Sequence, residues 1–380
     1  MVEADRLNNV ELSGIRRLFE LANSTDRTIV NLGLGEPDFS PPRAITDALQ
    51  ESLKSNTNRY GPTNGIRELR DMISEWYHDL DNSTTYENVM VTNGATEGLM
   101  SIAMSLFNDG DHVLVPDPGF VLYPSHVRIA GALPVFYTLT KSNNYIPDVY
   151  ELEKIVDDKT VAIYINNPSN PLGTVMDEDN INELIKFAKK HNLIIISDEV
   201  YDRITYDSPA ISFWGKYENV IVCNSFSKTL SIPGWRVGYI LTPPKFSNAI
   251  KKMHYYTSAC PVTPFQYAIV NGWDKAESDI KRNVQEFKNR RELVVSMLKE
   301  MKLSFPHPSG AFYVFPEIPE HIKMSSENIA KALVDKDLLT SPGSAFGMHG
   351  ENHIRFSFSN SRENIKKGLN IFKKWIEEME

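Results

Sequence analysis

A lysine set among small hydroxyl side chains, with an arginine close behind it, can do covalent chemistry on a carbonyl. The stretch Ser225-Phe226-Ser227-Lys228-Thr229-Leu230-Ser231-Ile232-Pro233-Gly234-Trp235-Arg236-Val237-Gly238 has this character, with Arg236 eight positions after Lys228. An amine attacks a carbonyl only when unprotonated, and a partly desolvated pocket with a cationic neighbour depresses a lysine's pKa. Serine hydroxyls and an arginine fork also suit a phosphate monoester. Most single lysines are surface residues. The surroundings of Lys228 point instead to Schiff-base chemistry on a phosphorylated aldehyde.

Other segments could complete such a site. Thr92-Asn93-Gly94-Ala95-Thr96-Glu97 is a glycine turn opening a helix, whose unpaired N–H groups suit an anion. Pro116-Asp117-Pro118-Gly119-Phe120-Val121-Leu122-Tyr123-Pro124 ends a strand-like run, and its prolines stiffen a loop at the edge where open α/β sheets bind ligands. Asn166-Asn167-Pro168-Ser169-Asn170-Pro171-Leu172-Gly173 forces another irregular loop. Asp198-Glu199-Val200-Tyr201 follows a further strand, and a carboxylate buried at a strand end needs a cation. Asn31-Leu32-Gly33-Leu34-Gly35-Glu36-Pro37 contains two glycines but no GxGxxG, and Pro37 interrupts the helix start that a dinucleotide loop needs. His349 and His353 lie four apart with Gly350 between them and no third ligand, so no metal site is expected. Cys223 and Tyr123 read as structural residues.

These segments need a frame. From Val89 onward, apolar runs at Val89–Thr92, His112–Val115, Leu133–Phe136, Val161–Ile165, Leu193–Ser197, Val220–Asn224 and Val237–Leu241 read as strands, several buried on both faces. Thr96–Phe107 and Glu178–Lys190 carry helical spacing between them, the pattern of a mainly parallel sheet covered by helices. Asn64 is positioned to cap a helix with Ile66, Leu69, Ile73, Trp76 and Leu80 on one face. Lys245–Gly272 and Ala276–Met301 read as two long helices. The tail alternates at Ala311–Phe315 and Ile354–Ser359, with helices near Ser325–Asp337 and Arg362–Glu378, as in a smaller α+β domain.

The chain's 380 residues exceed the size at which one core keeps growing, so two domains are expected. A composition 41% hydrophobic and 23% charged is that of a globular protein. Forty basic against 49 acidic side chains give a net charge of −9, which disfavours nucleic acid and anionic lipid as partners. Two cysteines, Cys223 and Cys260, are too few for a disulfide framework and suit a reducing compartment. Met1–Val10 lacks the regions of a signal peptide, and no apolar run approaches the ~18 residues of a membrane span. A cytoplasmic protein without membrane association is expected.

The Ser225–Gly238 stretch closely resembles the lysine signature of fold-type I pyridoxal-phosphate (PLP) aminotransferases, the class I/II group that includes aspartate, aromatic and alanine enzymes. Further landmarks keep that family's order from Gly33 to Arg355. The resemblance implies the α/β fold of PLP-dependent transferases of fold type I. A large domain would carry a mainly parallel seven-stranded sheet, beside a smaller α+β domain. Residues 1–44 would join the small domain, 45–275 form the large PLP-binding domain and 276–380 the small C-terminal domain.

By the same resemblance, Lys228 carries PLP, and the amides of Ala95 and Thr96, with Ser225, Ser227 and Arg236, bind its phosphate. Phe120 stacks on the pyridine, Asn170 and Tyr201 bond the phenolic oxygen, and Asp198 pairs with the ring nitrogen so that the ring acts as an electron sink. Gly35, Asn170 and Arg355, in His353-Ile354-Arg355-Phe356-Ser357-Phe358, serve the substrate, with Arg355 on its α-carboxylate. Tyr60, in Asn58-Arg59-Tyr60-Gly61-Pro62-Thr63-Asn64-Gly65, reaches the phosphate of the neighbouring subunit, which makes a homodimer with a shared active site. The implied reaction moves an amino group from an L-amino acid to a 2-oxo acid, 2-oxoglutarate, by a ping-pong mechanism. The segment Leu12–Ala22 resembles the aspartate and aromatic branch, which favours aspartate or an aromatic amino acid as donor. The alternatives are a PLP-dependent C–S β-lyase and a non-catalytic regulator that retains the fold. Regulators of that kind usually carry a basic DNA-binding extension, and here the fold begins within the first few dozen residues of an acidic chain.

Overall fold

A computed structural model describes residues 4–8, 10 and 27–379, so the segment Leu12–Ala22 lies outside the described residues. In chain order the strands are β1 (Val30–Asn31), β2 (Val89–Thr92), β3 (His112–Asp117), β4 (Leu133–Thr138), β5 (Thr160–Asn166) and β6 (Ile194–Asp198). Then come β7 (Val220–Ser225), β8 (Gly238–Leu241), β9 (Tyr313–Val314), β10 (Leu338–Leu339), β11 (Ser341–Pro342) and β12 (Ile354–Ser357). The α-helices are α1 (Arg43–Lys54), α2 (Arg67–His78), α3 (Ala95–Leu106), α4 (Leu122–Ile129), α5 (Val149–Ile155) and α6 (Glu178–Lys190). They continue with α7 (Phe226–Thr229), α8 (Pro244–Ser258), α9 (Thr263–Glu300), α10 (Ser326–Asp335) and α11 (Arg362–Met379).

The seven expected strands form one sheet in the order β2-β8-β7-β6-β5-β3-β4. Only β8 runs antiparallel to its neighbours, so β2 points the same way as the parallel five. Both faces are covered. Ile163 and Ile165 enter one core with Leu184 and Ile185 of α6, whereas Ala162 and Tyr164 enter another with Leu99 and Ile102 of α3. This period of two explains why β5 is apolar at nearly every position.

A third core gathers the tail: Phe312, Phe356, Leu338, Leu369 and Phe372 with Val30, Leu32 and Tyr201. Its frame is the antiparallel sheet β11-β12-β9 and the parallel pair β1-β10. Helix α9 joins the cores, with Ile269, Ala276 and Ile280 in the first and Phe287, Val294 and Leu298 in the third. The chain is therefore continuous helix through residues 273–275, where the sequence suggested a break between two helices. The break lies at Ala259–Val262 instead. Ala259 adopts a φ of 60°, and prolines at 261 and 264 stop one helix and start the next. Asn64 does not cap α2. The N–H of Ile66 donates to Gln266 Oε1 at 2.8 Å, and Leu80 lies past the helix end, exposed.

Among the described residues, no helix is long and apolar enough to cross a membrane, and no cluster of His, Cys, Asp and Glu could hold a metal ion. Ile195, fully buried in β6, tests the sheet core. Ile195→Ala is expected to lower unfolding free energy by about 2–5 kcal/mol, read from the denaturant midpoint.

Candidate active site

Five strands, β2, β3, β5, β6 and β7, end at one edge of the sheet, and the residues following each line one cavity of about 530 Å³. Ala95 and Thr96 follow β2, Phe120 follows β3, and Asn170 follows β5. Asp198 closes β6 just before Tyr201, and Ser225, Ser227 and Lys228 follow along β7 and α7. Gly35 arrives from the segment after β1, Arg236 from the loop before β8, and Arg355 from β12. The cavity thus unites every site residue expected from the sequence except Tyr60. Tyr60 is 92% exposed and lies outside it.

Small anions suit one end of the cavity. Gly94, at a φ of 82°, precedes the free N–H groups of α3, and a Cβ there would strike the Arg236 guanidinium. A side chain at Gly238 would come within 2.7 Å of the Ala95 nitrogen. The two glycines therefore keep a cradle open between helix N–H groups and a cation. Ser225 Oγ donates to Ser227 Oγ at 2.8 Å beside it, which completes a donor set suited to a phosphate monoester.

The middle holds an acid and an amine that burial moves toward neutrality. Asp198 accepts from the Tyr123 hydroxyl at 2.7 Å and from Val200 N at 3.3 Å, and its side chain is 3% exposed. Burial raises its pKa to about 6, against the lowering effect of the Tyr123 and Val200 donors and the Lys228 charge. Lys228 Nζ donates to Gly35 O at 2.7 Å. Burial brings its pKa down to about 8, assisted by the charges of Arg355 and Arg236 and opposed by those of Glu36 and Asp198.

At the far end, Arg355 is 3% exposed and donates to Asn170 Oδ1 at 2.9 Å, to Ser341 Oγ at 3.1 Å and to Gly33 O. Its guanidinium lies over the rings of Tyr313 and Phe346, at 4.4 and 4.8 Å from their centroids. Its Nε is buried without a partner. A buried cation whose hydrogen-bond partners are neutral is prepared for an anion from outside.

Two site residues were not foreseen. Tyr123, read from the sequence as structural, bonds Asp198 and packs edge-on against Phe120, with ring centroids 5.5 Å apart. Tyr313, from an alternating run that signalled only a strand, bonds the Tyr201 hydroxyl at 2.7 Å and lines the cavity. Its spacing from Phe120 to Tyr123 could have flagged the former, but no sequence signal pairs Tyr313 with Tyr201.

The sequence matches the aminotransferase class I and II family over residues 27–372. The chain is 36% identical to an aspartate aminotransferase of Pyrococcus abyssi, covering 100% of this chain and 99% of the relative. It is 34% identical to aromatic-amino-acid aminotransferase 2 of Thermococcus litoralis, covering 100% of this chain and 99% of that one. The aspartate aminotransferase of Thermus thermophilus with maleate superposes at a TM-score of 0.93, with 26% identity, covering 98% of this chain and 99% of the other. The chain belongs to the class I and II aminotransferases, with the α/β architecture of fold type I, and is a PLP-dependent transaminase.

Glu199, beside Asp198, offers a pH test. It accepts from Ser197 Oγ at 2.7 Å and Phe213 N at 3.1 Å, and burial raises its pKa from 4.5 to about 7. A buried acid with a raised pKa binds its proton more tightly in the folded chain, so stability falls as pH rises from 4.5 through 7. Glu199→Gln is expected to gain stability over the parent by roughly 2–3 kcal/mol between pH 5 and pH 8, measured by chemical denaturation.

Proposed function

We propose that this aminotransferase carries pyridoxal phosphate on Lys228 and takes its amino group from an amino acid with an aromatic side chain. The observation that carries the amino-acid part of this reading is Arg355, a buried guanidinium with neutral partners and a free Nε, suited to gripping an α-carboxylate through two parallel hydrogen bonds. Asn170, already bonded to Arg355, and the backbone at Gly35 complete that end. When bound, the cofactor supplies a conjugated ring that accepts the electrons released at a neighbouring carbon. The groups that would hold it are the N–H groups of Ala95 and Thr96, with Ser225, Ser227 and Arg236 for the phosphate. Phe120 would take the ring face, Asn170 and Tyr201 the phenolic oxygen, and Asp198 the ring nitrogen.

The chain's own residues then have defined tasks. The Lys228 amine, whose pKa burial lowers in the cofactor-free chain, would serve as the base that takes the proton from the donor's α-carbon once the donor's own amine has displaced it from the cofactor. The Tyr123 hydroxyl donates to Asp198 and lowers that acid's affinity for a proton, which favours the charged carboxylate opposite a cationic ring nitrogen.

The donor follows from the charges left over. Lys228, Arg236 and Arg355 are the cations that line the cavity among the described residues, and each has a task. Leu34, Val121, Pro233 and Tyr313 supply apolar wall instead, which favours a ring over a second carboxylate. Aspartate would need a basic partner from elsewhere. For the acceptor, the family resemblance favours 2-oxoglutarate. The exposure of Tyr60 supports a homodimer in which it reaches the partner's phosphate site. For a large domain over 45–275 and a small one over 276–380, support comes from the third core, which packs Val30 and Leu32, ahead of the large domain, against the tail. The net charge of −9 and the two free cysteines favour a cytoplasmic enzyme that binds neither nucleic acid nor membrane.

Lys228→Ala is expected to abolish turnover together with the visible absorbance of the bound cofactor; a fully active variant refutes the assignment. In half-reactions with a panel of amino acids, aromatic donors are expected to show a kcat/KM at least about tenfold above aspartate's, a margin in keeping with ring burial. A clear preference for aspartate overturns the donor assignment. Tyr123→Phe is expected to lower kcat by about tenfold with KM nearly unchanged, the mark of an interaction that matters in the transition state.

A further inference from the structure

We propose that His254, paired with Glu97, is a positioning residue for phosphate binding, because it ties the loop that carries Tyr60 to the turn that opens α3. The inference rests on the proposed phosphate roles of Tyr60 and Ala95 and goes beyond them to a residue that touches neither ligand nor cavity.

His254 sits on α8 with its side chain fully buried. Its Nε2 lies 2.9 Å from the carbonyl oxygen of Thr63, three residues after Tyr60. A carbonyl only accepts, so Nε2 carries a proton. Nδ1 lies 3.0 and 3.1 Å from the two carboxylate oxygens of Glu97, so a second proton occupies that contact. The ring therefore bridges the Thr63 carbonyl and the Glu97 carboxylate through its two nitrogens.

Each end of this bridge reaches a part of the site. Glu97, in the first turn of α3, also accepts from Asn93 N at 3.2 Å, in the turn that leads through Gly94 to Ala95. Ser101 Oγ donates to the same carboxylate at 2.6 Å. On the other side, Thr63 belongs to a loop held by Val91 N donating to Asn64 O at 3.0 Å and Thr263 Oγ1 donating to Arg59 O at 3.3 Å. Tyr60 itself is 92% exposed, so the loop backbone sets its position. Through Glu97, the His254 side chain joins that backbone to the turn holding the helix N–H groups.

The test is to titrate the cofactor-free full chain with pyridoxal phosphate and, separately, with pyridoxal, which lacks the phosphate. His254→Leu is expected to weaken pyridoxal phosphate about tenfold and pyridoxal less than about twofold. In combination with Tyr60→Phe the losses on pyridoxal phosphate should be less than additive, because both act on one loop. Should His254→Leu fail to fold, His254→Gln keeps one donor and should give a smaller loss with the same selectivity for the phosphate. Equal weakening of both ligands, or no weakening, overturns the inference, and so does strict additivity with an effective Tyr60→Phe. If Tyr60→Phe alone leaves phosphate affinity intact, the role of Tyr60 falls, and the two-ligand comparison in His254→Leu decides the inference by itself.

Discussion

Asp198 and Lys228 occupy one cavity without pairing, and the arrangement of the chain depends on keeping them apart. An ion pair between them would hold the amine protonated and occupy the carboxylate. Each is instead met by groups that leave it available. Lys228 Nζ ends on the Gly35 carbonyl, and Asp198 on the Tyr123 hydroxyl and the Val200 N–H. Burial then acts on both in the same sense, toward the uncharged form, which brings the amine to about 8 and the acid to about 6. The sheet makes the separation possible. Strands β6 and β7 run side by side with Asp198 opposite Cys223, and the chain runs on five residues and turns into α7 before it delivers the lysine.

Much of this was legible because parallel sheets concentrate function at one edge. Each buried strand announces itself by an apolar run, and the irregular residues after it, such as Asn166–Gly173 or Asp198–Tyr201, can only line that edge. The positions of Phe120, Asn170, Asp198 and Lys228 around one cavity follow from that rule, whereas Arg355 comes from β12 of the separate antiparallel sheet and its place was implied only by the family resemblance. What the sequence left hidden depends on contacts between distant segments. Tyr313 looks like any residue of a short alternating strand, and only the third core brings it against Tyr201. Tyr123 looks like a core aromatic until its hydroxyl is seen on Asp198. The division of the long helical region was misjudged because periodicity continues across a turn, whereas the stop at Ala259 is set by a left-handed residue and the prolines around it.

The segment from Gly33 to Asp38 has the largest effect for its size, because it settles two buried cations without neutralising them. Arg355 donates to the carbonyl of Gly33 and Lys228 to that of Gly35. A carbonyl dipole satisfies a hydrogen-bond donor but carries no net charge, so the guanidinium keeps its attraction for a carboxylate and the amine keeps its lowered pKa. A side-chain acid in either position would have cancelled both properties. The choice of glycine follows from the same geometry, since a Cβ at Gly35 would collide with the Tyr313 hydroxyl that Tyr201 uses. The segment is fixed from behind by a bidentate pair, Asp38 with Arg290 of α9 at 2.6 and 3.1 Å, and by Ser359 Oγ donating to Glu36 O at 2.7 Å. The ion pair that anchors this strip thus lies at its far end, and toward the cavity the strip meets the two cations with the Gly33 and Gly35 carbonyls and adds the Leu34 side chain to the wall, with the Glu36 charge acting on Lys228 without bonding it. That division lets one short stretch close the site while leaving its cations unspent.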